Sequence, residues 1–275
     1  MCKECGCGLG GDVTIGGHAH EDGHDHDHDH GHDHHHGPEH GHHHEREEGH
    51  GRQTVTLQRS LLEKNDRLAE QNRGFFRAKK LLVLNMVSSP GSGKTTFIRE
   101  TAAALAGRLR VGVIVGDLAT DNDAARLRTA GIPVVQITTG TICHLDADMI
   151  SKALAQLSLD ELDVVVIENV GNLVCPADYD LGEDLRVVLL SVTEGEDKPL
   201  KYPPMFHSAH VAVITKSDLA SAAGFDREQA LANLKRVSHH ARIFELSSKT
   251  GEGMKAWLEF IVEQQAAAKA GRGVQ

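Results

Sequence analysis

Short apolar runs alternate with stretches of helical period over the C-terminal two thirds of the chain. The runs are LLVLNMV (81–87), VGVIV (111–115), VVQI (134–137), VVVI (164–167), VVLLSV (187–192), VAVIT (211–215) and RIFEL (242–246). Most are rich in β-branched residues with no polar alternation, the signature of strands buried on both faces. Amphipathic stretches lie between several of them, at roughly 94–106, 121–130, 146–157, 226–238 and 253–268. This pattern predicts an α/β fold, a mostly parallel sheet with helices on both faces. Upstream, Val55, Leu57, Leu61, Leu62, Leu68, Phe75 and Phe76 recur at spacings of three, four and seven. They predict a helix over 54–80 with most of these side chains on one packed face. Residues 1–51 offer almost nothing to bury, so this segment is expected to stay disordered until something binds it. The expected organisation is a tail over 1–51, a helical segment over 52–80, one α/β domain over 81–268 and a disordered C-terminus over 269–275.

Composition sharpens the tail and little else. Of the chain's 20 histidines, 15 lie between His18 and His50, together with ten acids and one base, so this window carries −9 of the net charge of −10. The rest is nearly neutral, which leaves no basic excess to hold nucleic acid. No run approaches the roughly 20 apolar residues that cross a bilayer. The amino terminus MCKECGCGLGG has no apolar signal-peptide core, so a cytoplasmic location is expected. Five cysteines in a reducing compartment are expected to be ligands or core residues rather than disulfides.

The first strand runs into Ser88-Ser89-Pro90-Gly91-Ser92-Gly93-Lys94-Thr95-Thr96. A strand, a Gly-rich turn and a helix beginning at Lys94 let backbone N–H groups and the positive helix end cradle phosphates. Lys94 then reaches the outer phosphates and Thr95 binds Mg²⁺, with Pro90, Gly91, Ser92, Gly93 and Thr96 completing the cradle. Ser88 stands where GxxxxGK[ST] has its first Gly, a substitution expected to weaken the motif slightly. A ligand-free Gly-rich turn is the plain alternative. At other strand ends, Glu168 is placed to hold the metal's water shell, and Gly171 to let the backbone approach the terminal phosphate. Asp117 and Asp123 are candidates for Mg²⁺ or the attacking water, against a plain helix-capping role for Asp121 and Asp123. Strand 211–215 leads into Thr215-Lys216-Ser217-Asp218, where a carboxylate accepts from the ring N–H and the amine of guanine but finds no such pair on adenine. Thr215 replaces the Asn of NKxD and is expected to cost one amide contact. Ser247 and Ser248 follow the last strand and offer a further contact to the base. In this order the elements indicate a GTPase rather than an ATPase or a nucleotide kinase, with slow intrinsic hydrolysis.

Metal chemistry is the second theme. Cys2, Cys5 and Cys7 form C-x-x-C-x-C, three thiolates able to close round one soft or borderline cation, Ni²⁺ or Zn²⁺. The Asp-His-Asp-His stretch and the later His runs suit storage of several ions without fixed geometry. Cys143-His144 and Cys175 each follow strand ends near the nucleotide loops, so a Cys/His/Cys cluster beside the phosphates is expected. An inert core thiol is the alternative for each Cys.

The strings CKECGC, VSSPGSGKTT, GDLATDNDAAR, TGTICHLDA, ENVGNLVCPA, SVTEGEDKPLKYP and TKSDL, with the His-rich tract, resemble the hydrogenase nickel-incorporation GTPases of the HypB family from Met1 to about Phe260. That resemblance implies a nickel-binding accessory GTPase for the large-subunit precursor of a [NiFe] hydrogenase. It also implies a homodimer formed through the GTPase domain, an accessory partner, HypA, and a metal site at Cys143, His144 and Cys175 near the dimer interface. Competing readings are a nickel GTPase serving urease or another metalloenzyme, and a metal-storage protein with a vestigial nucleotide domain. Intact Lys94, Thr95 and Asp218 argue against the second.

Overall fold

The computed structural model describes residues 13–16, 18–19 and 49–271, with side chains for 13–16 and 59–271. Cys2, Cys5 and Cys7 lie outside the described residues, as does the His-rich tract apart from the backbone of His18 and His50.

Seven parallel strands form the sheet, each grown from one of the apolar runs: β3 (Leu82–Val87), β4 (Val111–Asp117), β5 (Val134–Thr138), β6 (Val164–Glu168), β7 (Leu185–Ser191), β8 (Val211–Thr215) and β9 (Arg242–Glu245). Two short strands precede them, β1 (Thr14–Ile15) and β2 (His18–Ala19), giving the order β2-β1-β5-β4-β6-β3-β7-β8-β9. β1 pairs antiparallel with β5 and buries Ile15. The tail over 1–51 is expected to hold no element because it offers almost nothing to bury, yet the short run Val13-Thr14-Ile15 docks on this edge. Here a sheet edge supplies the hydrogen bonds that such a run lacks alone.

The helices are α1 (Gly49–Lys79), α2 (Lys94–Leu105), α3 (Asn122–Thr129), α4 (Ala147–Leu154), α5 (Lys198–Lys201), α6 (Pro203–His207), α7 (Ala220–Ala223), α8 (Arg227–Val237) and α9 (Met254–Lys269). On one sheet face Phe97 of α2 and Trp257 and Phe260 of α9 pack over the alternating Leu82, Leu84 and Met86 of β3, and the Trp257 indole N–H donates to Thr101 Oγ1 at 3.0 Å. On the other, α4 and Phe76 of α1 cover Val83, Ile114 and Ile167.

The docked face of α1 differs from the predicted one. Leu61 and Phe75 are exposed, while Asn65 and Asn72, seven residues apart, are buried. Asn65 accepts from the Ala147 N–H at 2.9 Å and donates to the Asp180 carbonyl; Asn72 donates to the Ala147 and Leu181 carbonyls. Buried amides hydrogen-bonded to backbone groups of other elements fix the register of a helix more tightly than another pair of leucines would. Hydrophobicity alone misses such a face.

Candidate functional site

All the parallel strands end on one edge, and there the predicted residues converge. A cavity of about 570 Å³ is lined by Pro90, Gly91, Gly93, Lys94, Thr95 and Thr96 together with Asp117, Asp123, Glu168, Gly171 and Lys216. A second cavity of about 260 Å³ shares Gly93, Thr96 and Lys216 with it and adds Ser92, Asp218, Ser247 and Ser248. Two adjoining spaces, one amid Lys94 and carboxylates and one beside Asp218, have the layout of a phosphate subsite and a base subsite.

The phosphate loop takes its shape from few constraints. Gly93 adopts φ 94°, a left-handed conformation immediately before α2, which only Gly adopts without strain. Lys94 folds back so that its Nζ donates to Ser88 Oγ at 2.9 Å. Ser88 is absent from the non-glycine residues with positive φ, so the first motif position does not require Gly here and the expected weakening has no backbone cause. Gly171 sits so close to Pro90 that an added Cβ would lie 3.1–3.2 Å from three of its atoms, which holds the loop after β6 against the phosphate loop.

Register carries Glu168 to the same place, since Met86 pairs with Glu168 across β3 and β6. Thr95 Oγ1 donates to Glu168 Oε1 at 2.7 Å, while among the described residues the buried Oε2 has no hydrogen-bond partner. Burial pushes the Glu168 carboxyl up to about 7; Lys94 and the Thr95 hydroxyl oppose that shift, and Asp123 and Asp117 add to it. Burial likewise lowers the Lys94 ammonium, against the pull of Glu168. A cation beside the free Oε2 and phosphate beside Lys94 would relieve both costs. The hydroxyl and carboxylate oxygens of Thr95, Glu168 and Asp117 are the donor type Mg²⁺ takes, so this set fits that ion. Asp117 is partly committed, its Oδ1 accepting from the Ala119 and Thr120 N–H groups. Asp121 is the residue before α3 but makes no side-chain cap, and Asp123 pairs with Arg126 at 3.5 Å.

At the base subsite, Ser247 Oγ donates to Asp218 Oδ1 at 2.6 Å. Thr215, expected only to lack an amide, has a positive task. Its buried hydroxyl donates to the Ser92 carbonyl at 3.0 Å, and Lys216 Nζ donates to the Gly91 carbonyl at 2.7 Å, so the base strand is bolted to the phosphate loop. The TEGEDKP string contributes more than sequence reasoning assigned to it. Glu194 accepts from Ser92 Oγ at 2.9 Å and Lys198 donates to Ser89 Oγ at 3.2 Å. No spacing rule flags such buttresses.

On loops that leave the same edge of the sheet, Cys143 Sγ lies 2.9 Å from Cys175 Sγ, and with His144 these offer three ligand atoms within 4.8 Å of one another. Cys143 and His144 come from the loop after β5, and Cys175 opens a short 3₁₀ turn (Cys175–Asp178) after β6. Asn172 of that second loop donates to the Cys143 carbonyl at 3.1 Å, joining the two. Burial lowers the His144 pKa, which favours the neutral, ligating imidazole. Two sulfurs and a nitrogen suit Ni²⁺ or Zn²⁺ rather than Mg²⁺.

Fold and site together define a P-loop nucleotide-binding protein of the GTPase type. A family model described as the CobW/HypB/UreG nucleotide-binding domain matches residues 82–245. The chain belongs to that family, within its HypB hydrogenase maturation factors. It is 50% identical over 216 residues to the hydrogenase maturation factor HypB of Escherichia coli strain K12, covering 78% of this chain and 74% of that one. It is 40% identical over 218 residues to the hydrogenase/urease maturation factor HypB of Helicobacter pylori, covering 78% and 89%. The crystal structure of Helicobacter pylori HypB in complex with nickel superposes with a TM-score of 0.71 at 42% identity, covering 74% of this chain and 95% of that one.

Proposed function

We propose that this chain is a nickel-binding GTPase whose GTP hydrolysis regulates nickel insertion into the large-subunit precursor of a [NiFe] hydrogenase in the cytoplasm. The observation that carries this reading is the Cys143, His144 and Cys175 cluster on two loops that leave the nucleotide edge of the sheet. Its solved relative from Helicobacter pylori was crystallised with nickel, and its curated relatives are named for hydrogenase maturation. Among the described residues no helix is long and apolar enough to cross a membrane.

In this reading the backbone N–H groups of 91–94 and the start of α2 bind the GTP phosphates, Lys94 meets charge developing on the leaving phosphates, and Asp218 selects guanine. Thr95, Glu168 and Asp117 would hold Mg²⁺, which when bound would supply charge neutralisation at the terminal phosphates. In the same reading Asp117, Asp123 and Glu168, which line the phosphate cavity, orient the attacking water. Nickel is the cargo: Cys2, Cys5 and Cys7 capture it, the His18 to His50 tract stores it, and Cys143, His144 and Cys175 hold it beside the nucleotide, with Zn²⁺ an alternative occupant. Dimerisation through the GTPase domain and exchange with HypA belong to the same reading. Loss of the terminal phosphate frees the loop after Glu168, which carries both Asn172 and Cys175, so hydrolysis changes the grip on nickel.

Deletion in the source organism is expected to abolish hydrogenase activity, with recovery at high added nickel; unaffected hydrogenase overturns the proposal. A second measurement concerns the coupling. In full-length chain carrying Cys2→Ser, Cys5→Ser and Cys7→Ser, nickel affinity at the remaining thiolates is expected to differ between GTP-analogue and GDP forms by about 5- to 150-fold, the usual range for linked sites. Equal affinities leave the GTPase without a hold on the metal.

A further inference from the structure

A ligating histidine is almost always oriented by a hydrogen bond from its second ring nitrogen to a carboxylate or carbonyl. His144 has a support of another kind. Among the described residues its buried Nδ1 has no hydrogen-bond partner, which leaves that nitrogen available to a metal, and its ring stacks on Tyr179 with centroids 3.8 Å apart and planes 24° apart. Stacking at that distance fixes the tilt of an imidazole without occupying either nitrogen.

Tyr179 is itself fixed from below. Arg186 Nη2 donates to the Tyr179 carbonyl at 2.8 Å, while Nη1 donates to the Ala177 carbonyl at 3.2 Å and to Ser208 Oγ at 3.0 Å. The guanidinium therefore grips two carbonyls of the segment that begins at Cys175. Its side chain is 8% exposed, and its ion-pair partner Glu183, 3.0 Å away, is 4% exposed. Glu183 Oε1 also accepts from Asn85 Nδ2 at 3.0 Å, and Asn85 Oδ1 accepts from Asn169 Nδ2 at 3.2 Å. Asn169 lines the phosphate cavity next to Glu168. Burying an ion pair costs desolvation that its own attraction barely repays, so its value here lies in geometry rather than in stability.

We infer that Tyr179 is a positioning residue for the metal cluster, orienting His144 through the stack, and that the buried Arg186–Glu183 pair clamps Tyr179 and ties it through Asn85 to the nucleotide edge. This rests on the reading of Cys143, His144 and Cys175 as a nickel site. Hydrolysis then reaches the cluster by two routes, through Cys175 along the loop and through His144 by way of this chain of polar groups.

The test uses full-length chain with Cys2→Ser, Cys5→Ser and Cys7→Ser, in which Cys143 and Cys175 are the remaining thiols. Sulfur-to-nickel charge-transfer absorption then reports on that pair alone, and free nickel is set with a chelating buffer so that the tail imidazoles do not deplete it. Tyr179→Leu is expected to move the nickel midpoint by about 10- to 100-fold, as outer-shell changes do, with a shifted band; Tyr179→Phe keeps the stack and stays within about threefold. Arg186→Lys, which cannot grip two carbonyls and Glu183 together, moves the midpoint in the same direction as Tyr179→Leu. Thermal melting of the metal-free variants checks that each is folded. An unchanged midpoint in Tyr179→Leu, or an equal loss in Tyr179→Phe, overturns the role given to Tyr179. Absence of the band in the chain that keeps Cys143 and Cys175 would instead overturn the nickel site itself.

Discussion

Lys94→Ala is expected to lower GTP turnover on the order of 10³-fold, the size of effect seen when one preorganised donor is removed from developing transition-state charge. The side chain is buried beside Glu168, and its Nζ already points along the loop at Ser88 Oγ. Burial works against its charge, so the ammonium is held there at a cost to the fold. A group kept at such a cost is the first candidate for function. Truncation removes the charge and its desolvation penalty together, so metal-free stability should change far less than turnover does. The thiolates Cys2, Cys5 and Cys7 lie outside the phosphate loop, and tail nickel binding should persist in the variant. Phosphate release measured beside nickel stoichiometry checks both halves. Turnover at the wild-type rate would mean that the loop from Ser88 to Thr96 is not where phosphate is bound.

The parallel sheet and its edge were legible because continuous β-branched runs and 3.6-residue periods are local signals. Each predicted strand and helix from Leu82 onward appears within about three residues of its expected bounds. Lys94, Thr95, Glu168, Asp218 and the Cys143, His144 and Cys175 set were legible for a different reason: each lies at or just beyond the end of a strand, and parallel strands bring their ends together. What stayed hidden depends on contacts between distant segments. Asn65 and Asn72 read as polar interruptions of a helix until the Ala147 and Leu181 carbonyls stand opposite them. Glu194, Lys198 and Thr215 read as loop polarity until Ser92 and Ser89 supply their partners. The sequence carries one further cue. Asn85 is a polar residue within the otherwise apolar run LLVLNMV, and a fully buried amide there has to be satisfied by something.

Asp218→Asn should exchange the preferred base rather than simply weaken binding. In the proposed function the carboxylate accepts from two guanine donors, the ring N–H and the exocyclic amine, and charge-assisted bonds of this kind contribute about 1.5–3 kcal/mol each. An amide offers one acceptor and one donor, so against guanine one of its two groups faces a donor with a donor. A loss on the order of 10²- to 10³-fold in GTP affinity is the consequence. Xanthine carries a carbonyl where guanine carries its amine, and an amide matches that pattern if its nitrogen faces the base. The structure decides which way the amide turns. Ser247 Oγ donates to Asp218 Oδ1 at 2.6 Å, an arrangement the Asn oxygen can keep and the Asn nitrogen cannot. The oxygen is therefore pinned toward Ser247, and the NH₂ is left for the xanthine carbonyl. Asp218→Asn should hydrolyse XTP in preference to GTP, while adding Ser247→Ala frees the amide to turn and should erode that preference. Competition between the two nucleotides measured by phosphate release gives the ratio directly. A variant that loses GTP without gaining XTP would show that Asp218 supports the pocket from behind instead of touching the base.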